Sequence, residues 1–508
     1  MRLKKVLSII NIFVLLLTLG GECFGQGTIS LTLEQAIDIT HKNNPVLKEM
    51  RYLQQEKEME KKAALGLRLP RISLSANYML LSDDLELDLN PVKDAITPLY
   101  EALGNYGSFS GVPNPDPTTS GAMPILPDNI STQVVRQKLL GGLEDINNAN
   151  WVKTIQEKQF GTVSANVLWP IFTGGKITAA NKAAEIAIDE SKHVSKQKSD
   201  EILSELIERY YGLHLSGKVV DIRQDVFDVM ETHLHDAKRM YEEGIIAKSQ
   251  FLHAKLYHAE ALRNLKKAQR NYCIVENALQ NTLSSKTGDS IIPMSKLFYL
   301  KKIEPVEYFS KKASQFNPLL NQVRSKEQLA HQGVKIKNSN YYPTAAIAGM
   351  YDLYNKDFSP YAPEWAVGLN LRWTLFDGIA RTRKIQAAKF KEKQVTEIKN
   401  KAEDNINTVI NKLYQTLNMN VEQMEQLGAA KEYANEYFVV SQKSFREGMS
   451  TSTEVTDASL ALAKVRIEKL EVMYYYVTTL SKLLEFSGNS EAFISYQHRD
   501  NTIFETEK

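Results

Sequence analysis

The sequence predicts a mainly α-helical chain with a small membrane-inserted β portion, arranged as two internal repeats. Three observations lead to this fold class. A strand-like stretch occurs at 163–176 and again at 367–378, each copy is followed by a helical pattern of nearly 70 residues, and matching residues recur at constant offsets along the chain. Such recurrence over hundreds of residues is the signature of a duplicated structural unit.

The two strand-like stretches have apolar residues at alternate positions, with mostly polar or small residues between them. The apolar positions are Val163, Ala165, Val167, Trp169 and Ile171 in the first copy, and Val367, Leu369, Leu371, Trp373 and Leu375 in the second. A period of two predicts a β-strand with one apolar and one polar face.

The N-terminus resembles an export signal rather than part of the fold. Basic residues at Arg2, Lys4 and Lys5 precede an apolar run at 7–19 that is short for a bilayer span. We therefore expect 1–25 to be a cleaved signal peptide; an uncleaved anchor is the alternative. Glu22 stands where a lipoprotein signal needs a small residue before its cysteine.

Composition excludes several classes of function. The 508 residues are 43% hydrophobic and 24% charged, as in a folded protein. Without 1–25, Lys+Arg falls from 62 to 59 and Asp+Glu from 60 to 59, so the charge gives no argument for nucleic acid. Cys273 is then the remaining cysteine, which excludes an intrachain disulfide and a cysteine-based metal site. No nucleophile elbow, P-loop, HExxH or dinucleotide motif is present, so we expect neither an enzyme nor a cofactor.

The repeat is defined by two offsets. Asn44-Pro45 matches Asn317-Pro318 at 273, whereas Trp169 matches Trp373 at 204. The difference, 273 − 204 = 69, is the extra length of one loop in the first copy. We predict a first repeat at 26–288, a second at 289–487 and a loose polar tail at 488–508.

Each repeat is expected to contain two short helices, two strands, one long helix and one returning helix. The predicted strands are 71–81, 162–173, 344–354 and 365–376, the long helices are 176–243 and 381–447, and the returning helices are 249–283 and 453–486. A helix of nearly 70 residues is about 100 Å long. The loop at about 82–160 holds the extra residues, and its flanks at 91–103 and 130–149 look weakly helical.

The four predicted strands have the length of tilted bilayer crossings but are too few to close a barrel. Because open strand edges are not tolerated in lipid, several copies of the chain must pool their strands. Trp169, Trp365 and Trp373 lie in or near the strands, where an aromatic girdle at the membrane surface would place them.

Taken together, these residues resemble the outer-membrane efflux protein family, the TolC-like channels. The resemblance is carried by 33–36 followed by Asn43-Asn44-Pro45, by the strand ends at 169–176 and 373–378, and by the two helix tips at Gly244 and Gly448. It implies a homotrimer with a shared twelve-stranded β-barrel in the outer membrane and a twelve-helix α-barrel in the periplasm. It also implies a periplasmic adaptor (membrane fusion protein), an inner-membrane RND, ABC or MFS pump, and a passive exit duct. The long loop would face the cell exterior, more as a decoration than as a constriction.

The same resemblance assigns roles to the helix tips. Glu454 and Asp457 would form two stacked carboxylate rings at the periplasmic gate, whereas the first repeat has Gln250 and His253 there. The alternative is that acidic residues in a first helical turn merely complement the helix dipole.

The family resemblance has two further implications for the tips. Gly244, Ile245, Gly448 and Met449 would contact the adaptor, or would simply end the helices. Phe445 and Ser450 replace the Tyr and Arg common in the family, which argues against an identical lock.

The histidine pairs His233/His235 and His253/His258 suggest the hypothesis of a metal site. Their spacing does not suit ligation from one helix face, so we interpret all four as solvated surface residues and predict no metal site. The rival function is a soluble periplasmic coiled-coil scaffold protein, which would have no use for the four alternating strands.

Overall fold

The computed structural model describes residues 27–284 and 289–505. The predicted signal peptide lies outside these residues. The described chain forms two compact units, and both predicted repeats contribute to both. The helical unit contains the described residues of Met1–Ala64, Thr178–Asn338 and Gly378–Lys508, and the sheet unit contains Leu65–Ile177 and Ser339–Asp377.

The order of the long elements repeats along the chain, with two short helices, two long strands, a 67-residue helix and a returning helix in each half. The helices are α1 Leu33–Asn43, α2 Pro45–Gly66, α3 Asn90–Tyr106, α4 Asp128–Asn148, α5 Lys176–Glu242, α6 Lys248–Leu283, α7 Val306–Phe316, α8 Pro318–Asn338, α9 Ala380–Arg446, α10 Ser452–Phe486 and α11 Phe493–Gln497. The strands are β1 Thr28–Leu31, β2 Arg71–Leu80, β3 Leu85–Asp88, β4 Val152–Gln156, β5 Gln159–Phe172, β6 Ser290–Pro293, β7 Phe298–Leu300, β8 Thr344–Lys356, β9 Trp365–Arg372 and β10 Thr502–Phe504.

The helical unit has a core in which α5 packs on the other long helices. Apolar residues of α5 recur with helical spacing and are almost fully buried: Leu206, Ile207, Tyr210 and Leu213. The Tyr210 hydroxyl donates to the Leu31 carbonyl over 2.7 Å and accepts from the Ser295 amide over 2.9 Å. Within the described residues, no helix combines the length and apolar character needed to cross a lipid bilayer.

The Asn-Pro pairs explain how the short helices extend the returning helices. Asn44 donates through its side chain to the Thr282 carbonyl near the end of α6 (3.3 Å), and Asn317 donates to the Phe486 carbonyl at the end of α10 (2.7 Å). These bonds place the starts of α2 and α8 against the ends of the returning helices. That is the end-to-end stacking the helix lengths require.

The C-terminal segment is not loose, and the prediction for 488–508 is wrong over its described part, 488–505. The segment forms a 3₁₀ turn at Ser490–Ala492, then α11 and β10, and β10 pairs antiparallel with β7. Phe493 and Tyr496 are 1% and 2% exposed. Most residues of the segment are polar, which favours a loose tail in a prediction from sequence. Strands of three or four residues have too few alternating positions to be predicted from sequence. The parallel pair β1–β6 was not predicted for the same reason.

The sheet unit contains a four-stranded antiparallel sheet in the order β2-β5-β8-β9. All four predicted strands are present, with shifted ends. β5 starts at Gln159 rather than 162, β8 continues to Lys356, and β9 ends at Arg372 rather than 376. Trp373 therefore follows β9 directly instead of lying inside it.

The region predicted as a loop at 82–160 is largely regular structure. β3 and β4 pair as an antiparallel extension, and α3 and α4 lie between them in sequence, at the two flanks that looked helical. Gln156, 8% exposed, donates to the Asp357 carbonyl (2.8 Å) and accepts from the Ser359 amide (2.8 Å). These two bonds fix the base of the insertion to the β8–β9 turn.

Candidate functional site at the helix tips and the sheet

The two long hairpins of the helical unit end in matching turns. The first tip, 243–247, joins α5 to α6, and the second tip, 447–451, joins α9 to α10. Gly244 and Gly448 have φ of +74° and +75°, a region that side chains disfavour. No heavy atom lies within 4 Å of a Cβ built on either glycine, so the backbone conformation alone calls for glycine here.

Both turns are closed by the paired hydrogen bonds of a Schellman motif. In the first tip, the Gly244 amide donates to the Tyr241 carbonyl (3.1 Å) and the Ile245 amide to the Met240 carbonyl (2.8 Å). In the second tip, the Met449 amide donates to the Ser444 carbonyl (2.9 Å). Ile245 and Met449 are consequently displayed at the tips, 58% and 71% exposed.

Glu454 and Asp457 are both exposed on the first turns of α10, three positions apart, so they share a helix face. Glu454 also completes a capping box. Its amide donates to the Thr451 hydroxyl (3.3 Å), and its carboxylate accepts from the Thr451 amide (3.4 Å) and from the Ser450 hydroxyl. The carboxylate is thus both exposed and part of the helix cap.

The corresponding positions of the first hairpin, Gln250 and His253, carry no acid. The first tip is instead supported by a parallel ring stack of Tyr241 on Phe251, with centroids 5.4 Å apart. His253 is half-buried, and its ring centroid lies 4.5 Å from that of Tyr257. Its Nδ1 has no hydrogen-bond partner in the described structure.

His233 contradicts the surface interpretation of the histidines. It is 5% exposed, its Nε2 lies 2.7 Å from the Ser452 hydroxyl, and its ring centroid lies 4.6 Å from that of Phe445. Burial lowers the pKa of His233 to about 4, against a smaller opposing effect of Asp236.

A sequence signal for this burial existed, since His233, Ala237 and Met240 are spaced i, i+4, i+7, the pattern of a buried helix face. The side chain of His235 is 79% exposed as predicted, whereas His253 and His258 are half-buried. No group of three or more His, Cys, Asp or Glu side chains in the described part of the chain is placed to hold a metal ion.

The sheet unit presents exposed apolar side chains along its two edge strands, β2 and β9. The strand register aligns Ile72, Val167, Gly349 and Val367 across the four strands. On this face Ile72, Leu74, Val367, Leu369 and Leu371 are each 66–73% exposed. An apolar face of this kind on a chain of otherwise ordinary composition marks a surface that meets lipid or another protein.

The tryptophans are held at matching ends of the two strand pairs. Trp169 donates through its indole nitrogen to the Arg68 carbonyl (3.0 Å), and Trp373 donates to the Tyr341 carbonyl (3.1 Å). Arg68 and Tyr341 are separated by the same 273 residues as the Asn-Pro pairs. Trp365, 64% exposed, stands at the opposite end of β9.

The family model of outer membrane efflux proteins matches residues 147–285 and 309–489, more than half of the chain. The chain belongs to this family. It is accordingly an outer-membrane efflux protein with the TolC-like channel fold. Both tips, Trp169, Trp365, Trp373 and the acidic pair of α10 lie inside the matched residues, whereas α3 and most of α4 lie outside them.

Solved structures of outer-membrane channels share the fold of this efflux protein. The outer membrane protein VceC of Vibrio cholerae aligns with a TM-score of 0.65 and 14% identity over 90% of this chain and 96% of its own. The CmeC channel of Campylobacter jejuni aligns with a TM-score of 0.66 and 11% identity over 90% and 86%. The open state of the MtrE channel of Neisseria gonorrhoeae gives 0.64 and 11% over 90% and 89%. No curated protein matches the chain in sequence.

Proposed function

We propose that this efflux protein is the passive exit channel of a tripartite efflux or type I secretion system. The observation that carries the proposal is the apolar face of the four-stranded sheet, on which Leu74, Val367 and Leu369 of the edge strands are 67–68% exposed. Exposed apolar strands with alternating polar neighbours suit a sheet that faces lipid on one side and water on the other.

The open edges of the sheet support assembly from several copies. β2 and β9 are the edge strands, each with one side unpaired within the chain. Unpaired strand edges are not tolerated in lipid, so β9 of one copy would pair with β2 of the next. Three copies, as the family resemblance implies, would close a twelve-stranded barrel in the outer membrane.

The spacing of the tryptophans supports the same membrane placement. Trp365 begins β9 and Trp373 directly follows it, eight residues further on, which is about 26 Å along the chain and about 20 Å of bilayer depth at a strand tilt of about 40°. Outer-membrane barrels have an apolar band about 25 Å tall between two aromatic girdles. Trp169 would join Trp373 in one girdle, and Trp365 would lie in the other.

The helical unit would form the periplasmic end of the duct. In a homotrimer, α5, α6, α9 and α10 of three copies supply the twelve helices of an α-barrel. The exposed tip residues Ile245 and Met449, on their glycine turns, would contact a periplasmic adaptor. An inner-membrane RND, ABC or MFS pump would supply the energy, since the channel has no catalytic function of its own in this proposal.

Glu454 and Asp457 would narrow the periplasmic entrance as two carboxylate rings. Their exposure on one face of α10 supports this role. The capping box of Glu454 does not compete with it, because a cap uses one carboxylate oxygen and leaves the charge in place. Rings of carboxylates attract cations and can be blocked by them.

The test is single-channel conductance of the detergent-extracted protein in a planar lipid bilayer, together with its mass in detergent. A trimer with small, cation-selective openings is the expected result. A water-soluble species without conductance would overturn the proposal in favour of a periplasmic coiled-coil scaffold.

A further inference from the structure

We propose that His233 positions the second tip against α5 and that protonation of this histidine releases it, which makes the periplasmic entrance sensitive to acid. The inference rests on the proposed function, in which the tips form that entrance. It assigns a regulatory role to His233, which belongs neither to the acidic pair nor to the tip glycines.

The contact joins the two hairpins. His233 lies on α5 of the first hairpin, whereas its partners Ser452 and Phe445 flank the second tip on α10 and α9. Ser452 and Phe445 are 0% and 2% exposed, so water does not compete for the 2.7 Å bond. A hydrogen bond in so dry a site is costly to break without replacement.

The hydrogen bond between His233 and Ser452 lies beside a small cluster of buried apolar side chains. Ala237, Met240, Ala254, Phe445 and Val455 form a separate buried cluster at this end of the helical unit. Ser452 follows Thr451, the residue that caps α10 and holds Glu454 in the capping box. Movement of the second tip away from His233 would therefore carry the acidic pair with it.

The charged groups around His233 do not stabilise its protonated form enough to offset burial. Asp236, on the same helix, favours the protonated ring, but it also lies 3.8 Å from the Arg446 guanidinium of α9. His253 of α6 disfavours the protonated ring. On α10 the contacting group is the neutral Ser452 hydroxyl, and the acids Glu454 and Asp457 are exposed.

The direction of the pH response follows from linkage. We call the tips closed when His233 contacts Ser452 and open when it does not. In the closed form the pKa of His233 is about 4, lowered chiefly by burial, whereas a hydrated histidine has its ordinary value near 6.5. The closed form binds fewer protons, so it is fully favoured above pH 6.5 and is lost as the pH falls toward 4. Each pH unit between these values lowers the ratio of closed to open tips by up to about tenfold.

Two substitutions separate the bond from the titration. His233→Gln keeps a hydrogen-bonding group for Ser452 but has no proton to gain in this range. His233→Phe fills the ring position against Phe445 without either property. His235→Gln is the matched control, because His235 lies two residues away on the same helix with its side chain 79% exposed.

The experiment measures the separation of the tips by pulsed electron paramagnetic resonance on the full-length chain in detergent. Spin labels replace the exposed residues Glu243 and Glu447 in a Cys273→Ser background, and labelled chains are diluted with unlabelled ones. Wild type and His235→Gln should show a longer-distance population that grows at least tenfold between pH 7.5 and pH 4.5. His233→Gln should keep the short distance throughout, and His233→Phe should show the same distances at both pH values.

Identical pH responses in wild type and His233→Gln, or no response in either, would overturn the inference. If His233→Phe does not fold, Ser452→Ala replaces it, with an enlarged long-distance population expected at pH 7.5. The distance measurement does not depend on conductance. A pH-dependent separation without channel activity would therefore leave the contact intact while rejecting the exit channel, and the reverse result would reject the contact alone.

Discussion

Leu206 in the helical unit is 1% exposed, whereas Leu369 in the sheet unit is 68% exposed, although both belong to regular apolar patterns. The stripe of α5 meets the other long helices of its own chain, so a single copy removes it from water. The face of β9 meets nothing within the described chain. The hydrophobic effect therefore acts within one chain in the first unit, whereas in the second it requires another surface, either lipid or protein.

The helix tips also display exposed apolar side chains, next to buried ones. Met449 is 71% exposed, while Phe445, only four residues before it, is 2% exposed. Residues that hold the hairpins together alternate here with residues displayed outward. Substitutions at the tips should consequently affect stability less and transport more than those in the buried core.

The largest effect should come from truncation of the core. Leu206→Ala removes a buried side chain and should lower the free energy of unfolding by about 2–5 kcal/mol. Leu369→Ala, at an exposed position, should change it by less than about 0.5 kcal/mol in detergent. Denaturant unfolding of the extracted protein measures both. Equal losses would mean that Leu369 is buried against something in the isolated chain.

Charge on the sheet sharpens the contrast between its two faces. Leu369→Arg or Val167→Arg should block membrane assembly, because Arg on the lipid face costs about 2–4 kcal/mol near the bilayer midplane. Asn370→Arg, one residue further along β9 and on the opposite face, should be tolerated. The amount of heat-resistant trimer in outer-membrane fractions provides the measurement, and similar yields for Leu369→Arg and Asn370→Arg would refute the strand facing.

A smaller effect is expected at the second tip. Gly448→Val places a branched side chain in a left-handed backbone conformation, at a cost of about 1–2 kcal/mol confined to the turn. Transport should fall while trimer yield is maintained. Gly428→Ala in the interior of α9, with open space around its Cβ, is the control and should preserve both. A parallel loss of trimer in Gly448→Val would show that the turn is needed for folding rather than for docking.

The acidic pair should affect conductance alone. Glu454→Gln with Asp457→Asn removes two charges per copy but retains an oxygen for the Thr451 cap, so stability should change little. Block of the channel by divalent cations should weaken by about tenfold or more, in line with the loss of a carboxylate ring. Block that is unchanged in this double variant would leave Glu454 with its capping role only.

Most of the architecture could be predicted because the patterns were long. The two 67-residue helices and the four strands of the sheet carry many periods each, and their positions were predicted within a few residues. The strand ends differ by up to four residues from the prediction, since Trp373 continues the apolar alternation beyond the last paired residue, Arg372. Alternation records which face a side chain prefers, not where hydrogen bonding stops.

The errors arose where a few residues determine the structure. The pair His233/His235 favours a surface position for His233, whereas the helical spacing of His233 with Ala237 and Met240 favours the burial that the structure shows. The polar composition of 488–508 favours a loose tail, but in the described part, 488–505, Phe493 and Tyr496 anchor the segment in the core. The paired extension β3–β4 was missed because each strand has only four or five residues.

The sequence by itself determined the helices, the strands, their repeated order and the glycine turns, because these follow from local periodicity and backbone preference. Only the tertiary structure decided that His233 meets Ser452, that Asn44 and Asn317 bind the ends of the returning helices, and that Gln156 fixes the insertion to the β8–β9 turn. Each of these contacts joins residues far apart in the chain through one or two hydrogen bonds. No periodic pattern records such a pairing, since it depends on how the packed elements align in space.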